Sequence, residues 1–422
     1  MKVEILNLDG LTFVFSSIKD IETASLGVFL KIGSRYEKRS QKGIAHFLEH
    51  LLFKGSRKYS YNQIKREIEG RGGYLNGFTS QESTGYYARF LNKNLKITLD
   101  ILLDMVFWPL LKEKDIEKER NVILEEIKMY NDLPSSRAVS LLEKLLWPKH
   151  PLGEDVIGSS STIKRIDKKT LLDFKNKYYL PSNCIISFSG DFDKEKIIGW
   201  LRKRIEKNKS KIKLKSNLPP PLRGLYIKAE RKRLQQVHLC FGFRSISYLN
   251  KDRFCAEILN VILGANMSSR LFEELREKRG LCYEISTEAR KYKDTGAFII
   301  HLGLDKEKIE EATKVILKEL KKIKEKQIPL KELMRAKDYF LGQLLQGLEK
   351  PETRSFYLAE SLLTLGRIYT LEEIKKELEK INPSRLKKTA QDIFNLNNLC
   401  ISCVGDIEEK IEGDLRKIVL NC

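Results

Sequence analysis

GIAHFLEHLLFKG, residues Gly43 to Gly55, is apolar from Ile44 to Phe53 except at His46, Glu49 and His50. Such a run predicts a buried helix, and an unpaired polar group buried there costs roughly several kcal/mol, so these three side chains need partners inside the protein. His46 and His50 stand at i and i+4, which puts both imidazoles on one helical face, one turn apart and able to share a cation. Glu49 falls on the same side. His-x-x-x-His alone reads more simply as a hydrogen-bonded pair of core histidines. The intervening acid changes that: with 5 histidines and 57 acidic residues in 422, His-x-x-acid-His is expected roughly 0.008 times in a chain of this make-up. Chance is a poor account of it.

A catalytic zinc takes three protein ligands and keeps one position open, so the histidine pair needs a third partner. KDIEKERNVILEEIKMYND, Lys114 to Asp132, predicts a helix. At 100° per residue from Ile116, the side chains of Glu119, Ile123, Glu126, Ile127 and Tyr130 fall within about 100° of arc, the width of a core-facing stripe. Glu125 faces the other way. Glu119 and Glu126 are both candidates. On this helix alone either reads as a core-edge carboxylate bound to an arginine, but beside a buried histidine pair metal ligation is the better account.

The rest of the chain bounds what surrounds that centre. At 422 residues it exceeds one ordinary core. With 41% hydrophobic and 32% charged residues it has a globular composition. No apolar run reaches the roughly 18 residues of a membrane span, and the first residues lack a signal-peptide core, so the expectation is a cytoplasmic protein with no membrane partner. Seven scattered cysteines fit reduced thiols better than a disulfide framework, and Cys400-x-x-Cys403 lies in a strand-like run. The formal charge of +21 raises nucleic acid as a partner. The lysines are interleaved with glutamates on helical faces, however, the pattern of a solvated surface, so none is expected.

Arg204 to Gly224 joins a lysine run to three prolines and reads as a linker. The halves it separates resemble each other. SNCIISFSGDFDKEKI from Ser182 matches NNLCISCVGDIEEKI from Asn397, each a strand, a turn and a helix. SLGVFLKIGSRYE from Ser25 and VHLCFGFRSISYL from Val237 are both strand-like and precede apolar helices. Setting Gly55 against Gly264 puts Cys255, Ile258 and Leu259 where His46, Glu49 and His50 stand. The expected fold is therefore α+β in two homologous domains, each a largely antiparallel sheet with helices packed on one face. The expected bounds are 1–208 for the metal-bearing domain, 209–224 for the linker and 225–422 for the second domain.

His46-x-x-Glu49-His50 followed by Glu126 within ERNVILEEI resembles the inverted zinc motif of pitrilysin-type metallopeptidases. Length and layout resemble the short branch that includes mitochondrial processing peptidase and its bacterial relatives, and the likeness spans nearly the whole chain. The resemblance implies a zinc endopeptidase with one Zn2+ per chain, held by His46, His50 and Glu126. It implies Glu49 as general base and Glu119 bonded to the metal site from behind. GGYLNGFTSQESTGYY, from Gly72, resembles the family's active-site edge strand, which implies that Asn76, Gly77, Phe78 and Thr79 hold an extended peptide. In LFEELREKRGLCYEIST, from Leu271, Arg276 and Tyr283 match an arginine and a tyrosine that the family's second half extends toward substrate. Paired halves would enclose a chamber for unfolded peptides, and a homodimer would supply the four domains that longer members carry in one chain. The family also includes non-catalytic core and regulatory subunits, and this is the alternative reading.

Overall fold

The computed structural model describes residues 2–8, 10–202, 212, 214 and 217–421, so the expected 209–224 linker lies partly outside the described residues. The chain forms two compact units. The first comprises Met1–Ile127, Asp155–Asn217 and Leu345–Thr370; the second comprises Lys128–Glu154, Leu218–Leu344 and Leu371–Cys422.

The first unit is built on a six-stranded sheet of β1 (Glu4–Leu8), β2 (Leu11–Ser17), β3 (Thr23–Leu30), β4 (Tyr74–Thr79), β5 (Thr84–Leu91) and β6 (Cys184–Gly190). Their spatial order is β1-β2-β6-β3-β5-β4, antiparallel throughout except for the parallel pair β2 and β6. The second unit holds β7 (Tyr226–Arg231), β8 (Val237–Ser245), β9 (Cys282–Lys291), β10 (Gly296–Leu304) and β11 (Leu399–Gly405), in the order β7-β11-β8-β10-β9 with β7 and β11 parallel. Apart from β1 the two sheets share one topology. β6 and β11 occupy the same place in it, as do β3 and β8, the two pairs the repeat had matched. β6 and β11 are buried at every position, on both faces of their sheets, so they carry mostly apolar residues with small serines rather than an apolar–polar alternation.

The α-helices between residues 44 and 146 are α1 (Ile44–Leu52), α2 (Tyr61–Ile68), α3 (Leu95–Phe107), α4 (Glu113–Asp132) and α5 (Pro134–Leu146). On one face of the first sheet, Phe13, Leu26, Val28 and Phe188 pack with Phe47 and Leu48 of α1 and Leu102 of α3 in one apolar core. The residues that alternate with them along the strands, Val14, Phe29 and Ile185, point to the opposite face. That face is covered by Leu358, Ala359 and Leu363 of the helix Pro351–Leu365, and Ser355 Oγ donates to the Ser187 carbonyl at 3.3 Å.

The contiguous division expected from the sequence therefore needs correcting, because each half lends a helix to the unit built on the other half's sheet. In the second unit, Ala138, Leu141, Leu142 and Leu146 of α5 share a core with Cys240, Ala297, Ile299, Cys400 and Val404 of the sheet. Arg137 clamps Glu230 at 2.8 and 2.6 Å, and Ser402 Oγ donates to the Ala138 carbonyl at 2.6 Å. The apolar stripe decides the partner here, since burying it is worth about 25 cal/mol per Å² and chain order carries no such term. The helix Arg253–Leu263 stands where α1 does in the repeat, with Cys255, Ile258 and Leu259 all buried. Among the described residues no helix is long and apolar enough to cross a membrane.

Candidate metal centre and active site

α1 begins at a fixed point. Gly43 has φ +91°, and a Cβ there would stand 2.5 Å from the Ile157 carbonyl oxygen, so only glycine fits the turn into the helix. The Glu37 carboxylate accepts from the amides of Gly43 at 2.9 Å and Ala45 at 2.8 Å, satisfying two of the helix's open donors. Ile44, Ala45, Phe47, Leu48, Leu51 and Leu52 are buried, leaving His46, Glu49 and His50 on the remaining face.

Those residues meet α4. Glu126 Oε2 lies 3.8 Å from His46 Nε2 and 3.4 Å from His50 Nε2, and ligand atoms of the three residues all lie within 4.8 Å of one another. It is the one such cluster of three or more among the described residues. The set fits a zinc ion on two grounds. Donors bound at roughly 2.0–2.1 Å in a tetrahedron stand about 3.4 Å apart, close to the 3.8 and 3.4 Å that separate Glu126 Oε2 from the two imidazoles. Glu126 Oε2 is also buried without satisfying a hydrogen bond, and the atoms it faces are two imidazole nitrogens.

Glu119, one of the two candidates for third ligand, sits behind the histidine. Its Oε2 is 3.2 Å from His50 Nδ1 and its Oε1 is 2.8 Å from Lys54 Nζ, and its side chain is 3% exposed. Glu126 is therefore the acid that shares the histidines' Nε2 side. Tyr130, expected on the buried stripe, is 44% exposed instead; the buried part of α4 ends at Ile127, where the first unit ends.

The electrostatics follow from this packing. Burial works against charge on His50, but hydrogen bonding to Glu119 and the pull of Glu126 outweigh it and lift its pKa to about 9. Burial and the neighbouring His50 push His46 down to about 4, against the pull of Glu126. Without a metal, these opposite shifts favour positive charge on His50 over His46. Burial raises the pKa of both glutamates behind it, but His50 and Lys54 bring Glu119 below the usual range, and the two histidines do the same for Glu126. Glu49 is raised by burial, opposed by the Thr79 hydroxyl and His50.

β4 borders the centre as the outermost strand of its sheet. Its Leu75 and Thr79 share the α1-facing side with Gly77, while Phe78 packs on the other face against Phe29 and Phe356. Asn76 donates to Tyr74 Oη at 2.6 Å and accepts from the Gly77 amide at 2.8 Å. Between α1, α2 and β4 lies an open cleft of about 410 Å³, lined by Glu49, His50, Phe53, Tyr61, Ile64 and Asn76 among others.

Arg276 and Tyr283 belong to the second unit, and there the structure brings them together. Tyr283 near the start of β9 is 76% exposed, and the Arg276 guanidinium lies 5.5 Å from its ring centre and 4.9 Å from that of Phe272. Arg276 lies in a turn of π-helix, Phe272–Glu277, a local geometry found often at functional sites. The sequence reading missed two contacts in the first unit, Lys54 on Glu119 and the Thr79 hydroxyl on Glu49. Lys54 is four residues beyond His50, a spacing that already placed it on the histidine's face.

Comparison with known proteins points one way. A family model described as Insulinase (Peptidase family M16) matches residues 12–160, and one described as Peptidase M16 inactive domain matches residues 165–340. The uncharacterized zinc protease YmxG of Bacillus subtilis is 32% identical over 92% of this chain and 94% of its own. Among solved structures, a protease from Helicobacter pylori superposes with a TM-score of 0.90 at 24% identity, covering 96% of this chain and 99% of that one. A peptidase M16 inactive domain from Pseudomonas fluorescens gives 0.86 at 20% identity, over 96% and 98%.

Proposed function

We propose, since the chain belongs to the insulinase family of M16 peptidases, that it is a zinc-dependent endopeptidase acting on extended, unfolded peptides. The observation that carries this reading is the convergence of His46, His50 and Glu126 beside the half-buried carboxylate of Glu49. A single zinc ion held by those three residues would supply Lewis acidity toward a water and toward the scissile carbonyl. The chain's own groups do the rest. Glu49 takes the proton of the attacking water on its carboxylate and passes it to the leaving amine. With the metal bound, Glu119 would accept from His50 Nδ1–H, leaving the bare Nε2 to face the ion. As an outermost strand, β4 would receive the peptide as an added strand through the backbone around Asn76, Gly77, Phe78 and Thr79, giving affinity with modest sequence preference.

To the same reading belong roles for Arg276 and Tyr283, as donors to the oxyanion or the adjacent substrate backbone, and association into a homodimer. The test is incubation of purified protein with a mixture of unstructured peptides, with and without chelator. Cleavage that stops with the chelator and returns with zinc is expected. A fully zinc-loaded protein that cleaves none of them would favour a non-catalytic subunit of the same fold.

A further inference from the structure

Edge strand β4 meets α1 at two positions, one hydroxyl contact and one close approach, that a strand serving only as a backbone template does not need. The Thr79 hydroxyl donates to Glu49 Oε2 at 2.6 Å, within the roughly 2.5–2.7 Å of a charge-assisted O–H···O⁻ bond. Two residues earlier, and so on the same face, Gly77 has no side chain where Glu49 passes. A Cβ there would lie 3.1 Å from Glu49 Cγ and 3.2 Å from the Phe53 ring, tighter than ordinary van der Waals contact. Glu49 has three rotatable side-chain bonds, and fixing them costs entropy that a single strong hydrogen bond can offset. Gly77 opens the space the carboxylate occupies, and Thr79 holds it there by one oxygen, leaving the other to meet a proton.

We infer that Thr79 is a positioning residue for Glu49, acting through its hydroxyl, with Gly77 shaping the space in which Glu49 is held. This goes beyond the backbone role of β4 and, in its kinetic consequence, rests on the reading of Glu49 as general base. It also joins substrate binding to chemistry, because the strand whose backbone edge would pair with the peptide orients the base through a side chain on its α1-facing side.

The test compares Thr79→Val, which keeps the side-chain shape and the backbone groups but removes the hydroxyl, with Thr79→Ser, which restores the hydroxyl. Displacing a reacting group by about 1 Å costs on the order of a hundredfold in rate, so Thr79→Val is expected to lower kcat by about ten- to a hundredfold. KM should stay within about twofold and zinc content should match the wild type. Thr79→Ser should recover most of the rate. Crystal structures supply a readout independent of turnover: in Thr79→Val the Glu49 carboxylate leaves its wild-type position, and in Thr79→Ser it does not. Thr79→Ala replaces the valine variant should that fail to fold. Wild-type kcat in Thr79→Val, an unmoved Glu49, or a serine variant as impaired as the valine one would each overturn the assignment. If the wild type hydrolyses no peptide, the proposed function fails while the Glu49 position in the crystals still decides this inference.

Discussion

Glu119 Oε2 lies 3.2 Å from His50 Nδ1, the ring nitrogen opposite the one that faces Glu126 at 3.4 Å. The two acids seven residues apart on α4 therefore grip one imidazole from both ends. Glu126 stands on the side where His46 Nε2 also points, and Glu119 on the side where Lys54 balances its charge. On the proposed function, this division would give Glu126 to the metal and Glu119 to the histidine.

Glu119→Ala should accordingly weaken zinc binding without abolishing it. Loss of a partner behind a ligating histidine typically costs about 10- to 100-fold in metal affinity. Titration against a chromogenic chelator reads the change, and excess zinc should restore most of the peptide cleavage. Affinity equal to the wild type would place Glu119 outside the metal's support. Loss as complete as in Glu126→Ala would make it a ligand.

Tyr283→Phe removes one hydroxyl from a ring that is 76% exposed, so it should leave unfolding unchanged. If that hydroxyl donates to the substrate's developing oxyanion, kcat should fall by about tenfold or more at constant zinc content. Steady-state kinetics on one peptide decide the matter, and an unaltered kcat would return Tyr283 and the Arg276 stacked on it to the surface.

Association is the third expectation. Light scattering should give a dimer at the concentrations where peptides are cleaved, and a strict monomer under those conditions would refute it. Mixing Glu49→Gln with Tyr283→Phe chains then asks how sites are composed. Recovered activity would mean that a site draws residues from two chains, and none would mean that each chain completes its own.

The centre was legible because α1 breaks a strong rule: three ionisable groups interrupt a run whose neighbours Phe47, Leu48 and Leu51 are at most 1% exposed. The repeat was legible for the opposite reason, since β6 and β11 are buried on both faces and keep similar strings of apolar residues and small serines ending in glycine. The exchange of helices was not. The stripe of Ala138, Leu141, Leu142 and Leu146 announces that one face of α5 is buried, and periodicity carries no information about which sheet buries it. Arithmetic on α4 found both acids yet placed Tyr130 in the core, because a helical wheel cannot see that burial stops at Ile127. The contact of Thr79 with Glu49 was hidden for a similar reason: in β4, Tyr-Leu-Asn-Gly-Phe-Thr, a single hydroxyl has no pattern that tells which helix residue it meets.

The most direct test of the account measures zinc content and peptide turnover together, in the wild type, in Glu49→Gln and in His46→Ala. The wild type and Glu49→Gln should each hold about one zinc per chain, because Glu49 is not a ligand. Turnover in Glu49→Gln should fall by about a hundredfold to ten-thousandfold, the usual worth of a general base. His46→Ala should lose the metal and the activity together. Wild-type turnover that survives complete removal of zinc, or a Glu49→Gln variant that cleaves peptides at the wild-type rate, would contradict it.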